Sequence, residues 1–164
     1  MSTLRVDSLQ GQTADGKNRY VVQVKQTILS TAESITSTSF ANSSLAVSIT
    51  PSSVNSKIRA TINGTFGMNF WHASPYWRMT RDSTQISFNE GTHWPRVQYD
   101  STRDSESGLH IVMDILDSPS TTSSVTYTLQ GRTTNGSYPL YLNRTVAVSG
   151  PMAQSTITVM EIAQ

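Results

Sequence analysis

Residues 45–64, LAVSITPSSVNSKIRATING, decide the fold class of this 164-residue chain. Two apolar/polar alternations flank a turn signal at residues 50–53, TPSS. In the second alternation one face holds Ile58, Ala60, Ile62 and Phe66, and the other holds Lys57, Arg59, Thr61, Asn63 and Thr65. A strand with this pattern packs one face on a core and turns the other to water. The stretch therefore predicts strand, turn, strand.

Similar signals recur along the rest of the chain at short spacing, with no sustained helical period. The predicted strands are residues 20–29, 45–50, 57–70, 76–81, 85–88, 96–99, 108–117, 123–132, 138–144 and 155–162. Ser and Thr occupy 47 positions, and Thr favours strands because its β-branch fits a pleated surface. The prediction is an all-β chain: a two-sheet antiparallel sandwich with jelly-roll-like topology. Asn135-Gly136 is its strongest hairpin signal.

The chain is predicted to have two parts. Residues 1–19 contain a short apolar alternation of Leu4, Val6 and Leu9, followed by a polar stretch with two glycines. This segment is too short to form a core, so it is either an extended arm that anchors the protein or pairs with another subunit, or a frayed terminus. Residues 20–164 form the sandwich domain.

Composition excludes several classes of protein. The formal charge of +1 and the scattered basic residues argue against a nucleic-acid surface. The absence of cysteine excludes disulfides and thiolate sites. No basic-then-apolar leader and no apolar run of membrane-spanning length occur, so we expect folding in a cytoplasm, no membrane partner, and release by lysis or within an assembly.

The motifs of catalysis are also missing, and we predict no enzyme, cofactor or metal. The chain has no Gly-x-Ser-x-Gly elbow and no phosphate loop. His72, His93 and His110 lack the spacing that would place two imidazoles on one metal. Asp100, Asp104 and Glu106 offer carboxylates to Ca²⁺ but not in a regular loop pattern, which favours a solvated loop.

One region concentrates aromatic side chains. All three tryptophans fall within residues 71–94, interleaved with Tyr, His and Arg. The candidate ligand or interface residues are Trp71, His72, Tyr76, Trp77, Arg78, Trp94, Arg96 and Tyr99. Aromatic rings stack on the apolar faces of sugars, which suits a glycan site. Trp, Tyr and Arg also anchor subunit interfaces, and aromatics fill sandwich cores. Core or interface is the favoured interpretation, and glycan or receptor contact the alternative.

Several stretches carry a family resemblance: MSTLRVDSLQ at residues 1–10, LDSPSTTSSVTYTLQGR at 116–132 and STITVMEIAQ at 155–164, together with residues 45–64. In these the chain resembles small bacteriophage virion proteins of marine and freshwater phages, labelled tail fibre or structural protein. The resemblance implies a non-enzymatic β-sandwich, commonly trimeric, carried on a head or tail. It is weakest over residues 68–100.

The residues agree with that implication at the C-terminus. In residues 155–162, Thr158, Met160 and Ile162 alternate with Ile157 and Val159, so the strand is apolar on both faces. Such a strand needs two covers, and a neighbouring subunit is the natural second one. We therefore expect a homotrimeric phage structural protein in the virion, a tail fibre or appendage or a capsid decoration protein, contacting other virion proteins. The alternative is a carbohydrate- or receptor-binding module that recognises host surface glycan through residues 70–99.

Overall fold

The computed structural model describes residues 19–68, 75–86 and 108–164. These form two antiparallel sheets packed as a β-sandwich, as predicted. The strands are β1 (Val21–Leu29), β2 (Glu33–Ile35), β3 (Ala41–Ile49), β4 (Lys57–Gly67), β5 (Pro75–Arg81), β6 (Thr84–Gln85), β7 (Gly108–Asp117), β8 (Val125–Thr133), β9 (Leu140–Leu142) and β10 (Ser155–Ile162).

Strands distant in sequence pair within each sheet. In the first sheet, here called the β1 sheet, the order is β1-β10-β4-β7, and the short strands β9 and β2 continue it beside the end of β4. The second, the β3 sheet, has the order β3-β8-β5-β6. The first and last strands of the sandwich therefore lie side by side, which joins the two ends of the domain.

The opening stretch forms the predicted strand, turn and strand, but the two strands belong to different sheets. β3 lies in the β3 sheet and β4 in the β1 sheet, so residues 50–56 cross from one layer to the other. The inward residues of both strands meet in one core because their alternation puts apolar side chains on the facing surfaces. From these two strands the core receives Leu45, Val47, Ile49, Ile58, Ala60, Ile62 and Phe66.

A close approach of β5 and β8 completes the core. The Trp77 ring lies 4.5 Å from the Phe66 ring, centre to centre. A Cβ on Gly131, which pairs with Trp77, would stand only 2.7 Å from the indole. Glycine is required there because the tryptophan occupies the space that a side chain would take.

Other sequence predictions fare unevenly. The hairpin at Asn135-Gly136 is wrong, because β8 and β9 lie in different sheets and the turn between them passes from layer to layer. β2 was not predicted, since three residues give too short a period. β3 begins four residues before its prediction. The strand predicted at 96–99 and the arm at 1–18 lie outside the described residues, and the jelly-roll topology stays a prediction.

Candidate functional site

The structure describes three of the eight candidate residues, all on β5. Trp77 points into the core and is 6% exposed, so it serves packing. Tyr76 and Arg78 point to the opposite, outer face of the β3 sheet, because neighbours on a strand alternate between faces. Trp71, His72, Trp94, Arg96 and Tyr99 lie outside the described residues, as do Leu4, Val6 and Leu9 of the predicted arm.

Tyr76 and Arg78 belong to a stack of half-buried side chains that we call the arginine–aromatic ladder: Phe40, Tyr76, Arg78 and Arg132. The Arg78 guanidinium carbon lies 4.0 Å from the centre of the Phe40 ring, and that of Arg132 lies 5.3 Å from it. Arg132 also lies 4.0 Å from the centre of the Tyr76 ring. At these distances the cations are attracted by the ring faces.

Strand register builds the ladder. Tyr76 pairs with Arg132 across β5 and β8, and Phe40 directly precedes β3 on the other side of β8. Gln130 holds Arg78 in place: it accepts from Arg78 Nε at 2.6 Å and donates to Asn42 Oδ1 at 2.6 Å. Phe40 and Arg132 were not among the predicted site residues. Their contact depends on the pairing of β3, β8 and β5, and the sequence around each residue does not indicate that pairing.

The outer face of the β1 sheet is a second candidate surface. Cross-strand pairing places Val24, Met160, Arg59 and Leu116 in one row. Two residues further along, Gln26, Thr158, Thr61 and Asp114 form the next row, and Ile28, Thr156, Asn63 and Val112 the third. Paired residues of antiparallel strands share a face. This surface therefore carries large aliphatic side chains, and Leu116 is 62% exposed.

The two charges in these three rows, Arg59 and Asp114, neutralise one another. Arg59 Nη2 donates to Asp114 Oδ2 at 2.6 Å, and Thr61 Oγ1 donates to Asp114 Oδ1 at 2.9 Å. The hydrogen bond from Arg59 lowers the pKa of Asp114. On β1, Gln26 Nε2 bonds Thr158 Oγ1 at 2.8 Å. The polar groups at the centre of the face are thus already paired with each other.

Three polar groups, two fully buried and one half-buried, stabilise the sandwich itself. The Glu161 carboxylate is fully buried and accepts from Ser52 N (2.7 Å), Ser52 Oγ (2.6 Å) and Gln23 Nε2 (2.7 Å). Burial alone would raise the pKa of Glu161, but hydrogen bonds from Ser52, Gln23 and Ser56 outweigh it and lower the pKa to about 2. An ionised carboxylate therefore joins the layer-crossing turn to the edge strand β1 and to β10.

Asp117 plays a similar part at the end of β7. Its carboxylate accepts two bonds from Arg81 Nη1, at 2.8 and 2.6 Å, and one from the Tyr127 hydroxyl at 2.8 Å. Burial, with the bond to Asp117, raises the pKa of Tyr127. The group links the β1 sheet, which contains β7, to β5 and β8 of the β3 sheet.

Asn143 is the third group, with a left-handed backbone (φ 59°) and a fully buried side chain. Its amide donates to Leu29 O at 2.7 Å and Thr31 O at 3.0 Å, and its Oδ1 accepts from Ser155 Oγ at 2.6 Å. No sequence motif predicts this role or that of Glu161, because both partners are distant in sequence.

Within the described ranges, no cluster of three or more His, Asp or Glu side chains is arranged to hold a metal ion, and no helix is long and apolar enough to cross a membrane. His110, on β7, lies opposite Thr65 of β4. The acidic stretch at 100–106 lies outside the described ranges.

Fold and surfaces together define an antiparallel β-sandwich with two differently built outer faces. No protein-family model matches the chain, and no curated protein sequence matches it.

Proposed function

We propose that this chain is a non-enzymatic structural protein of a bacteriophage particle, a homotrimer that associates through the outer face of its β1 sheet. The observation that carries the proposal is the row-by-row composition of that face: exposed Val24, Ile28, Val112 and Leu116 around one neutralised ion pair. The phage assignment rests on the resemblance of the chain to virion proteins. A tail appendage and a capsid decoration protein both fit it.

The chemistry of the face favours a second copy of the chain as its partner. The three rows contain two charges, and these are already paired, so the rows leave no unpaired charge to desolvate when a neutral surface of a second copy covers them. Lys57, in the row beyond Arg59, donates to Ser118 Oγ and lies at the rim. Exposed aliphatic side chains on a regular sheet gain free energy when another subunit removes them from water. In a closed three-fold ring each chain contacts its two neighbours through different patches, and faces that line the axis lie close to one another.

The size of the face also suits an interface between copies. With strands about 4.8 Å apart and residues about 3.3 Å apart, its four strands over the five residues that the rows span cover about 200 to 300 Å² in outline. A stable interface removes roughly 800 Å² of accessible surface from each partner, and side-chain relief makes accessible area larger than outline. The face can supply the centre of an interface, with neighbouring edges and loops as its rim.

Light scattering after size exclusion tests the proposal. We expect the protein to have about three times the 18.0 kDa mass of the chain. Leu116→Asp replaces the most exposed aliphatic side chain of this face and leaves the face with an excess negative charge beside the Arg59–Asp114 pair, so it should yield monomer at micromolar concentration while the circular dichroism spectrum stays unchanged.

Val54→Asp is the matched control. Val54 is 54% exposed, comparable with Leu116 at 62%, but lies in the turn between β3 and β4. Its change to Asp should leave the mass untouched. A monomeric wild type, or a trimer in the Leu116→Asp variant, would contradict the proposal.

A second candidate function is carbohydrate or receptor binding on the outer face of the β3 sheet. The observation that favours it is the arginine–aromatic ladder, where two guanidinium groups and two rings meet on a face turned away from the core. The two functions are compatible, because a particle protein that associates through one face leaves the other to contact a host surface.

A further inference from the structure

We infer that the arginine–aromatic ladder binds the carboxylate groups of an acidic polysaccharide. The inference rests on the second candidate function and narrows it from carbohydrate in general to sugars that carry a carboxylate. It also replaces the mode of binding that the aromatic residues alone suggest, which is stacking of a ring on a neutral sugar.

Each ring of the ladder has one face covered by a guanidinium group. One face of Phe40 is covered by Arg78 at 4.0 Å, and one face of Tyr76 by Arg132 at 4.0 Å. A covered ring face offers no apolar platform to a sugar. The ladder therefore presents guanidinium edges where an uncovered ring would present a π surface.

Arg132 stacks on rings but takes part in no ion pair among the described residues. Within residues 19–68, 75–86 and 108–164, its guanidinium contacts the rings of Tyr76 and Phe40, and its charge belongs to neither of the ion pairs there, Arg59–Asp114 and Arg81–Asp117. Stacking uses the face of a guanidinium and leaves its N–H donors free in the plane. Those donors form a fork that matches a carboxylate with two parallel hydrogen bonds.

The ladder is preorganised for binding an anion. Packing on two rings holds Arg132 in a partly buried position, so little side-chain entropy is lost when an anion binds. Arg78 is held in turn by Gln130 Oε1 at 2.6 Å and by Gln85 Oε1 at 3.1 Å. Both guanidinium carbons lie within 5.3 Å of the Phe40 ring centre, so a carboxylate bound by Arg132 is also attracted by the charge of Arg78, whose Nε and Nη1 donors are already bonded.

The surroundings favour a sugar chain over an acidic peptide. Beside the ladder the same face carries the amide of Asn42, and farther along β8, beyond the buried Thr128, it carries the paired hydroxyls of Ser48 and Thr126, whose oxygens are 2.8 Å apart. Amides and hydroxyls donate and accept in the way that sugar hydroxyls need. An acidic peptide would gain binding free energy from the guanidinium cations but would make less use of these amides and hydroxyls.

Isothermal titration calorimetry with the intact protein tests the inference, using oligogalacturonate and its fully methyl-esterified form. The two ligands share every hydroxyl and differ in the carboxylates. We expect the acid to bind and the ester to bind at least about tenfold more weakly, the factor that one lost charge-assisted contact of about 1.4 kcal/mol produces. Binding of the acid should weaken as salt is raised.

Two substitutions locate the site. Arg132→Gln should reduce affinity about tenfold or more, and Arg132→Lys, which keeps the charge but loses the fork, should fall between it and the wild type. Lys25→Gln removes the same charge from exposed β1 and should leave affinity unchanged. Circular dichroism of each variant verifies that it is folded, and the comparison of acid with ester needs no variant.

Three results would overturn the inference: no binding of oligogalacturonate, equal binding of acid and ester, or equal loss in the Arg132 and Lys25 variants. Binding of polyglutamate as tight as that of oligogalacturonate would assign the site to acidic peptides instead and reject the sugar. The molar mass of the same samples reports on assembly independently, so failure here leaves the proposed trimer unaffected, and the reverse also holds.

Discussion

Among single residues, Glu161 shows how a buried charge can hold three segments together: strand β10, strand β1 and the turn between β3 and β4. A carboxylate without a cation is costly to bury unless hydrogen bonds replace its water. Ser52 supplies two of them and Gln23 a third, which also keeps the exposed edge strand β1 in register with β10.

We predict that Glu161→Gln destabilises the protein by about 1.5 to 3 kcal/mol at pH 7, the range for hydrogen bonds to charged groups. Gln presents one acceptor where the carboxylate presents two, and its NH₂ meets the Ser52 donors. Urea unfolding measures the difference. Glu33→Gln, at a half-buried carboxylate that accepts from Ser44 N, should cost less because its site is partly open to water.

The same residue predicts a pH dependence. Because the folded state lowers the pKa of Glu161 from 4.5 to about 2, its contribution to stability is complete above about pH 4.5 and disappears as the pH falls through about 2. The gap between wild type and Glu161→Gln should therefore narrow over that interval. A gap equally wide at pH 7 and pH 2.5 would show that the ionised form is not what stabilises the fold.

For whole elements, sequence patterns predicted what depends on local alternation. The strand at 155–162 was predicted with its observed bounds because Ile157 and Val159 alternate with polar or outward residues along its full length. The same reasoning correctly put Ile58, Ala60 and Ile62 on the buried face of β4. Alternation specifies which face of a strand is buried but not which strand pairs with it.

Two errors follow from that limit. Asn135-Gly136 has the composition of a hairpin turn, yet Tyr138 N bonds Asn135 O within a turn that changes sheets. β2 forms because β9 pairs with it, with Ser34 opposite Tyr141, and not because residues 33–35 have strong strand propensity. Tertiary pairing overrides local preference at both places.

Asn143 joins three elements and gives a prediction at this scale. Asn143→Gly keeps the left-handed backbone but loses the bonds to Leu29, Thr31 and Ser155, and we expect a cost of about 1 to 3 kcal/mol. Asn143→Ala loses the same bonds and adds about 1 to 2 kcal/mol of left-handed strain. Thermal or urea unfolding of the pair separates the two effects. Equal stabilities would contradict the assigned backbone role.

For the molecule as a whole, the two outer faces differ in what sequence could reveal. The apolar outward residues of β10 predicted a second cover, because Met160 and Ile162 alternate visibly with the core residues. That the same face also holds Val24, Leu116 and the Arg59–Asp114 pair follows from the order β1-β10-β4-β7, which sequence does not encode locally. The arginine–aromatic ladder was predicted only in part. Tyr76 and Arg78 were among the candidate ligand or interface residues, and Phe40 and Arg132 were not.

The central claim is that copies of the chain associate through the outer face of the β1 sheet, and cysteine cross-linking tests it most directly. The chain contains no cysteine, so Leu116→Cys introduces a single thiol on the β7 side of that face, and Val54→Cys introduces one of similar exposure elsewhere.

With a short bis-maleimide at micromolar protein concentration, we expect a covalent species of two chains for Leu116→Cys and unlinked chain for Val54→Cys, because each chain carries one thiol and each linker joins two. Cross-linking of Val54→Cys with none at Leu116 would place the contact elsewhere on the molecule and contradict the claim.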